Sequence, residues 1–101
     1  MVTPAQLREI IRQIVNGYDP EAIYLFGAYA TGEHIGSQDV DLVIVKATPE
    51  PRLTRGREVR RCLRGIKTPV NILVYTREEI RRWEEVPSSF IGTVMETGVK
   101  V

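Results

Sequence analysis

Hydrophobic positions along this chain follow two periods, one helical and one extended. Leu7, Ile10, Ile11, Ile14 and Val15 recur at helical spacing on one stripe, with Arg8 and Arg12 on the opposite face. Thr3-Pro4 predicts a capped start for this helix, and Gly17 predicts a left-handed end. After the Asp19-Pro20 turn, residues 22–26 read as a buried strand with no polar alternation. Gly27 to Gly32 is expected to form a short helical turn and residues 33–38, with Gly36 and Ser37, a loop. Residues 40–46 form a second strand that is apolar on both faces. Val40, Leu42 and Ile44 take one side, while Val43 and Val45 share the other with Asp39 and Asp41. Such a strand belongs in the middle of a sheet covered on both sides.

The second half continues the alternation. Thr48-Pro49 predicts a helix running to about Gly65, with Leu53, Val59, Cys62, Leu63 and Ile66 inward. Residues 70–75 form a third strand with one polar interruption, Asn71. Thr76 with Glu79 reads as a capping box for a helix that carries Ile80 and Trp83 and stops at Pro87. Ser88 is expected to cap a last helix with Phe90, Ile91, Val94 and Met95 inward, ended by Gly98. Residues 99–101 add a short edge strand. The pattern predicts one α/β sheet domain spanning residues 1–101.

Composition narrows the function classes. A chain of 101 residues can build one core, and 43% hydrophobic with 27% charged residues describes a globular protein rather than a disordered one. No apolar run approaches the roughly 20 residues that cross a membrane, and the first ten residues lack a signal-peptide layout. The single cysteine, Cys62, excludes an internal disulfide. A cytoplasmic protein is the simplest expectation. The net charge of +1 hides seven cations against one acid between Arg52 and Lys67. A solvated helix face is the plain reading of that run; a surface for an acidic partner, a nucleic acid or a nucleoside triphosphate is the sharper one. No aromatics interleave with these arginines, which argues against sequence-specific nucleic-acid readout.

The chemistry concentrates in residues 26–45. A small-residue turn at Gly27-Ala28 closes one strand, and Asp39 and Asp41 open the next with their carboxylates on one face. Two convergent carboxylates beside a glycine turn suit a magnesium ion held against a phosphate. Gly27-Ala28 is followed by ten residues, Tyr29 to Gln38, and then Asp39-Val40-Asp41. This resembles the minimal nucleotidyltransferase family, relatives of the DNA polymerase beta catalytic domain, whose pattern is Gly-Ser, ten residues, Asp-x-Asp. The flanks agree: Tyr29-Ala30-Thr31-Gly32 resembles x-Ala-Arg-Gly, and Asp41-Leu42-Val43-Ile44-Val45 resembles the Asp-Leu-x-Val strand.

The resemblance implies a small mixed β-sheet with flanking helices, the polymerase beta-like nucleotidyltransferase fold. It implies transfer of a nucleoside monophosphate, AMP from ATP in the first instance, to an acceptor hydroxyl. Gly27, Ala28 and Tyr29 would bind the nucleotide. Asp39 and Asp41 would hold Mg²⁺, with Mn²⁺ as an alternative, and Asn71 would take the catalytic position of the family's third carboxylate. Two positions depart from the pattern. Ala28 lacks the family serine's hydroxyl, a loss of about 3 kcal/mol by analogy with oxyanion-hole deletions. Asn71 brings no negative charge and cannot take a proton. Neither Glu33 nor Glu58 obviously replaces it. His34, in the loop, reads as a surface residue or a substrate contact. Members of the family are often paired with helical HEPN-type toxins, which implies a protein acceptor. The alternatives are an antitoxin that binds its partner without catalysis and, less favoured, a nucleic-acid-binding protein.

Overall fold

The computed structural model describes residues 2–27, 39–86 and 88–101. The elements are α1 (Pro4–Tyr18), β1 (Ala22–Phe26), β2 (Val40–Val45), α2 (Arg52–Arg60), β3 (Val70–Tyr75), α3 (Arg77–Trp83), α4 (Phe90–Thr97) and β4 (Val99–Lys100). Among the described residues the strands form a mixed sheet in the order β3-β2-β1-β4. β1 runs antiparallel to both β2 and β4, whereas β2 and β3 are parallel. A parallel pair needs a crossover, and α2 lies within it. Residues Gly27 to Gly32 were expected to turn and 33–38 to loop; positions 28–38 of that stretch, and Pro87, lie outside the described residues.

β2 is the spine, as its two apolar faces require. Val40, Leu42 and Ile44 pack with Ile10 and Ile14 of α1 and Val59 of α2. Val43 and Val45 pack on the other face with Tyr75, Ile80 of α3, and Ile91 and Val94 of α4. The sheet therefore carries a helical layer on each side.

Local chemistry explains where several elements begin and end. Thr3 Oγ1 accepts from the Gln6 amide at 3.1 Å, and Gln6 Oε1 accepts from the Thr3 amide at 2.8 Å. This capping box starts α1. The left-handed residue that ends α1 is Asp19, at φ 52°, and not Gly17. Gly17 instead sits inside the helix, where a Cβ would lie 2.7 Å from Cys62 Sγ. Its missing side chain permits a close approach, which no local pattern encodes. Val15, expected inward, is 47% exposed.

The helix expected from Thr48 begins at Arg52 and ends at Arg60. Pro51 disfavours helical geometry at Glu50, so no helix can run through that pair at low cost. Arg55 lies one turn before the buried Val59 and shares its inward face, whereas Leu53, six residues before Val59, does not. Leu53 is 92% exposed and Arg55 only 6%. The last helix is capped by Ser89 rather than Ser88, Ser89 Oγ accepting from the Gly92 amide at 2.9 Å. Of its expected inward residues, Phe90 is exposed; Trp83 of α3 is exposed too. Among the described residues no helix is long and apolar enough to cross a membrane.

Candidate active site

The end of β1 and the beginnings of β2 and β3 meet at one end of the sheet. The main-chain amide of Val40 donates to Pro69 O at 3.0 Å, which anchors the start of β2. Val40 is fully buried in the α1/α2 layer, so Asp41, the next residue of the strand, belongs to the α3/α4 face, and Asp39 comes directly before the strand. Asp41 stands opposite Phe26 on β1 and opposite Asn71 on β3. Asn71 lies on the same face, because its neighbours Val70 and Ile72 point into the other core. Asn71 Nδ2 donates to Asp41 Oδ1 at 2.7 Å.

Gly27 completes the arrangement. Its φ is +76°, a conformation that glycine adopts without a steric penalty. A Cβ there would come within 2.7 Å of Asp41 Oδ2. Asp41 is thus held between an amide donor and a bare backbone turn. The structure brings Gly27, Asp41 and Asn71 together, and Asp39, exposed, immediately precedes β2. Ala28 and Tyr29, expected in the nucleotide site, lie outside the described residues, as do Glu33 and His34. Glu58 is on α2, paired with Arg61 at 3.4 Å. Phe26 escaped the sequence reading, since its place beside Asp41 depends on antiparallel register across a loop.

The chain matches the family model of the nucleotidyltransferase domain over residues 5–100. It belongs to that family. Two solved structures share its fold. A protein from Sulfolobus solfataricus assigned as a nucleotidyltransferase aligns at a TM-score of 0.63 and 22% identity, covering 95% of this chain and 76% of that one. A chain of the toxin–antitoxin MntA–HpeT, in a mutant form, aligns at 0.55 and 16% identity, covering 100% and 72%. No curated protein matches.

The carboxylate donors of this nucleotidyltransferase domain are of the type that suits a hard divalent cation such as Mg²⁺ or Mn²⁺. Among the described residues no group of three or more His, Cys, Asp or Glu side chains forms a metal cage. Magnesium needs none: it keeps several waters and takes one or two carboxylates together with substrate phosphates. Asp39 and Asp41 fit that role, and the Asn71 amide leaves Asp41 Oδ2 unengaged by its own contact. Gly27→Ala tests the cradle. A side chain in the left-handed region costs about 1 kcal/mol, and the close contact with Asp41 adds to it. A melting temperature lower by several degrees is expected by calorimetry.

The basic segment is not one uniform face. Arg55 is buried, Arg52 lies over the Tyr75 ring at 5.4 Å, and Arg61 pairs with Glu58. Arg57 and Arg60 line a groove of about 370 Å³ between α2 and β3, together with exposed Leu53 and Leu73.

Proposed function

We propose that the chain is a magnesium-dependent nucleotidyltransferase that passes AMP from ATP to an acceptor hydroxyl on a protein partner of the HEPN toxin class. The observation that carries this reading is the Asp41 carboxylate, set against the bare turn at Gly27 and beside Asp39. Main-chain amides at such a turn can hold phosphate oxygens. A bound magnesium ion would neutralise charge on the transferred group and orient it. In the reaction the acceptor oxygen attacks the α-phosphorus, the bond from that phosphorus to the α–β bridging oxygen breaks, and pyrophosphate leaves. The acceptor's proton passes to solvent water or to the departing pyrophosphate, and not to Asn71, since an amide cannot take it. A protein acceptor is supported by the likeness to the MntA–HpeT chain, whose name is that of a toxin–antitoxin.

Asn71 favours a second reading, a partner-binding antitoxin without catalysis, because it supplies an amide where the family pattern has a carboxylate. Labelled ATP, Mg²⁺ and the partner separate the two. Label on the partner that disappears in the Asp39→Ala/Asp41→Ala double variant supports transfer. If no label appears while the same variant still inhibits the partner, the chain is a binding module.

Asn71→Asp offers a further check that does not need the partner. It places two carboxylates directly opposite each other, which costs up to about 1 kcal/mol of stability without a divalent ion. Adding Mg²⁺ or Mn²⁺ should restore the melting temperature and stabilise this variant more than the parent. Equal response of both proteins to the ion would count against a metal at Asp41.

A further inference from the structure

We propose that Phe90, braced by Phe26, is the platform on which the base of a purine nucleotide stacks; this rests on the nucleotide-binding reading of the site. Phe26 is opposite Asp41 in the β1–β2 register, and both lie on the face covered by α3 and α4. Opposed Cβ atoms in such a pair stand about 5 Å apart. From Phe26 the next ring is Phe90, with centroids 5.3 Å apart and planes at 83°. These two steps connect the Asp41 carboxylate to Phe90 through a single intervening side chain, Phe26.

Phe90 is held as a platform needs to be. It is the first residue of α4, just after the Ser89 cap, and the following Ile91 and Val94 are buried in the core. Its backbone is therefore fixed at a firmly anchored helix start. The ring itself is 45% exposed. An edge-to-face contact with Phe26 orients the ring and leaves aromatic surface open to a second partner. A lone exposed phenylalanine needs no explanation. This one is ordered by a second ring that neighbours a phosphate-and-metal site, and that position distinguishes it. Stacking reads the π-face of a base and not its hydrogen-bonding edge, so it selects ring area. The larger purine face is the better match.

The test compares Mg·ATP with Mg·tripolyphosphate, which presents three linked phosphates, with one more ionisable oxygen and without ribose or base. Both are titrated into the whole chain, its Phe90→Leu variant and its Phe90→Trp variant. Leucine keeps the packing against Phe26 and loses the aromatic face; tryptophan keeps a face. The parent should bind ATP more tightly than tripolyphosphate. Phe90→Leu should weaken ATP about tenfold and leave tripolyphosphate unchanged, while Phe90→Trp retains ATP affinity. The adenine H2 and H8 resonances should move upfield on binding the parent and not on binding Phe90→Leu. Equal affinity of the parent for both ligands overturns the stacking platform and leaves the phosphate site standing. So does a Phe90→Leu variant that weakens both ligands alike. A parent that binds neither ligand overturns the nucleotide reading itself, and this inference with it.

Discussion

On the proposed function, Asp41→Asn should remove nucleotidyl transfer, by about 10³-fold or more, and leave the fold nearly untouched. The asparagine keeps an oxygen where Asp41 Oδ1 accepts from Asn71 Nδ2, so the cross-strand hydrogen bond at 2.7 Å can persist. It is also close to isosteric, so the tight approach to Gly27 is not worsened. What disappears is the negative charge. Loss of one neutral hydrogen-bond donor to a reacting centre already costs about 10²–10³ in rate, and a carboxylate beside a polyphosphate–metal complex contributes more than a neutral donor. Labelled ATP with the partner measures the loss, and a thermal melt checks the fold. A variant that keeps a tenth of the parent's transfer would remove Asp41 from the chemistry. A variant that loses transfer but still neutralises the partner would show that binding and catalysis are separate.

Arg55→Ala should be the most destabilising single change outside the apolar core, at about 3 kcal/mol, or roughly 15 °C in melting temperature. The guanidinium ties three elements together. Arg55 Nε donates to Glu50 O at 2.7 Å, Nη1 to Val74 O at 3.2 Å, and Nη1 and Nη2 to the two Glu79 oxygens at 2.7 and 3.3 Å. Glu79 also accepts from the Thr76 amide at 2.8 Å, so the same carboxylate caps α3. Truncation strands two carbonyls and a carboxylate whose side chain is only 30% exposed. That residual exposure holds the expected cost at the lower end for a broken buried pair.

Acid provides the control for this prediction. The hydrogen bond from Arg55 is the largest cause that holds the Glu79 carboxyl below its ordinary range. A carboxyl whose folded pKa is depressed contributes stability at pH values above its unfolded pKa, about 4.3. That contribution is lost as pH falls through the lower folded value. The parent should therefore lose this part of its stability below about pH 4, and Arg55→Ala should not. The gap in melting temperature between the two should narrow from pH 7 to pH 3. A gap that stays constant would mean that the destabilisation comes from lost packing of the arginine stem and not from the ion pair.

Features carried by neighbouring residues were legible without coordinates. The strands at 22–26, 40–45 and 70–75 agree with the expected ones to within a residue, because a strand apolar on both faces leaves few alternatives. The Thr76/Glu79 capping box was readable because the hydrogen bonds close within three residues. The facing of Asp41 away from the Val40 layer follows from the two-residue period of an extended chain. Misreadings arose where two local signals competed. Thr48-Pro49 resembles a helix start, but Pro51 immediately opposes it. Gly17 looks like a helix end, yet the chain continues to Asp19, whose short polar side chain tolerates the left-handed region.

Sequence pattern alone established the order of elements, the central strand, the turn-and-carboxylate motif and the family. Those features arise from backbone periodicity and short-range hydrogen bonds, whose partners are adjacent in the chain. Folding added the contacts between distant segments. Arg55 can be buried because Glu79, 24 residues later, and the carbonyls of Glu50 and Val74 satisfy its charge. Asn71 meets Asp41 because a parallel crossover sets their register 30 residues apart. Phe90 reaches Phe26 because α4 packs back over β1. Such pairings depend on how whole layers seat against each other, and no period in the sequence records that.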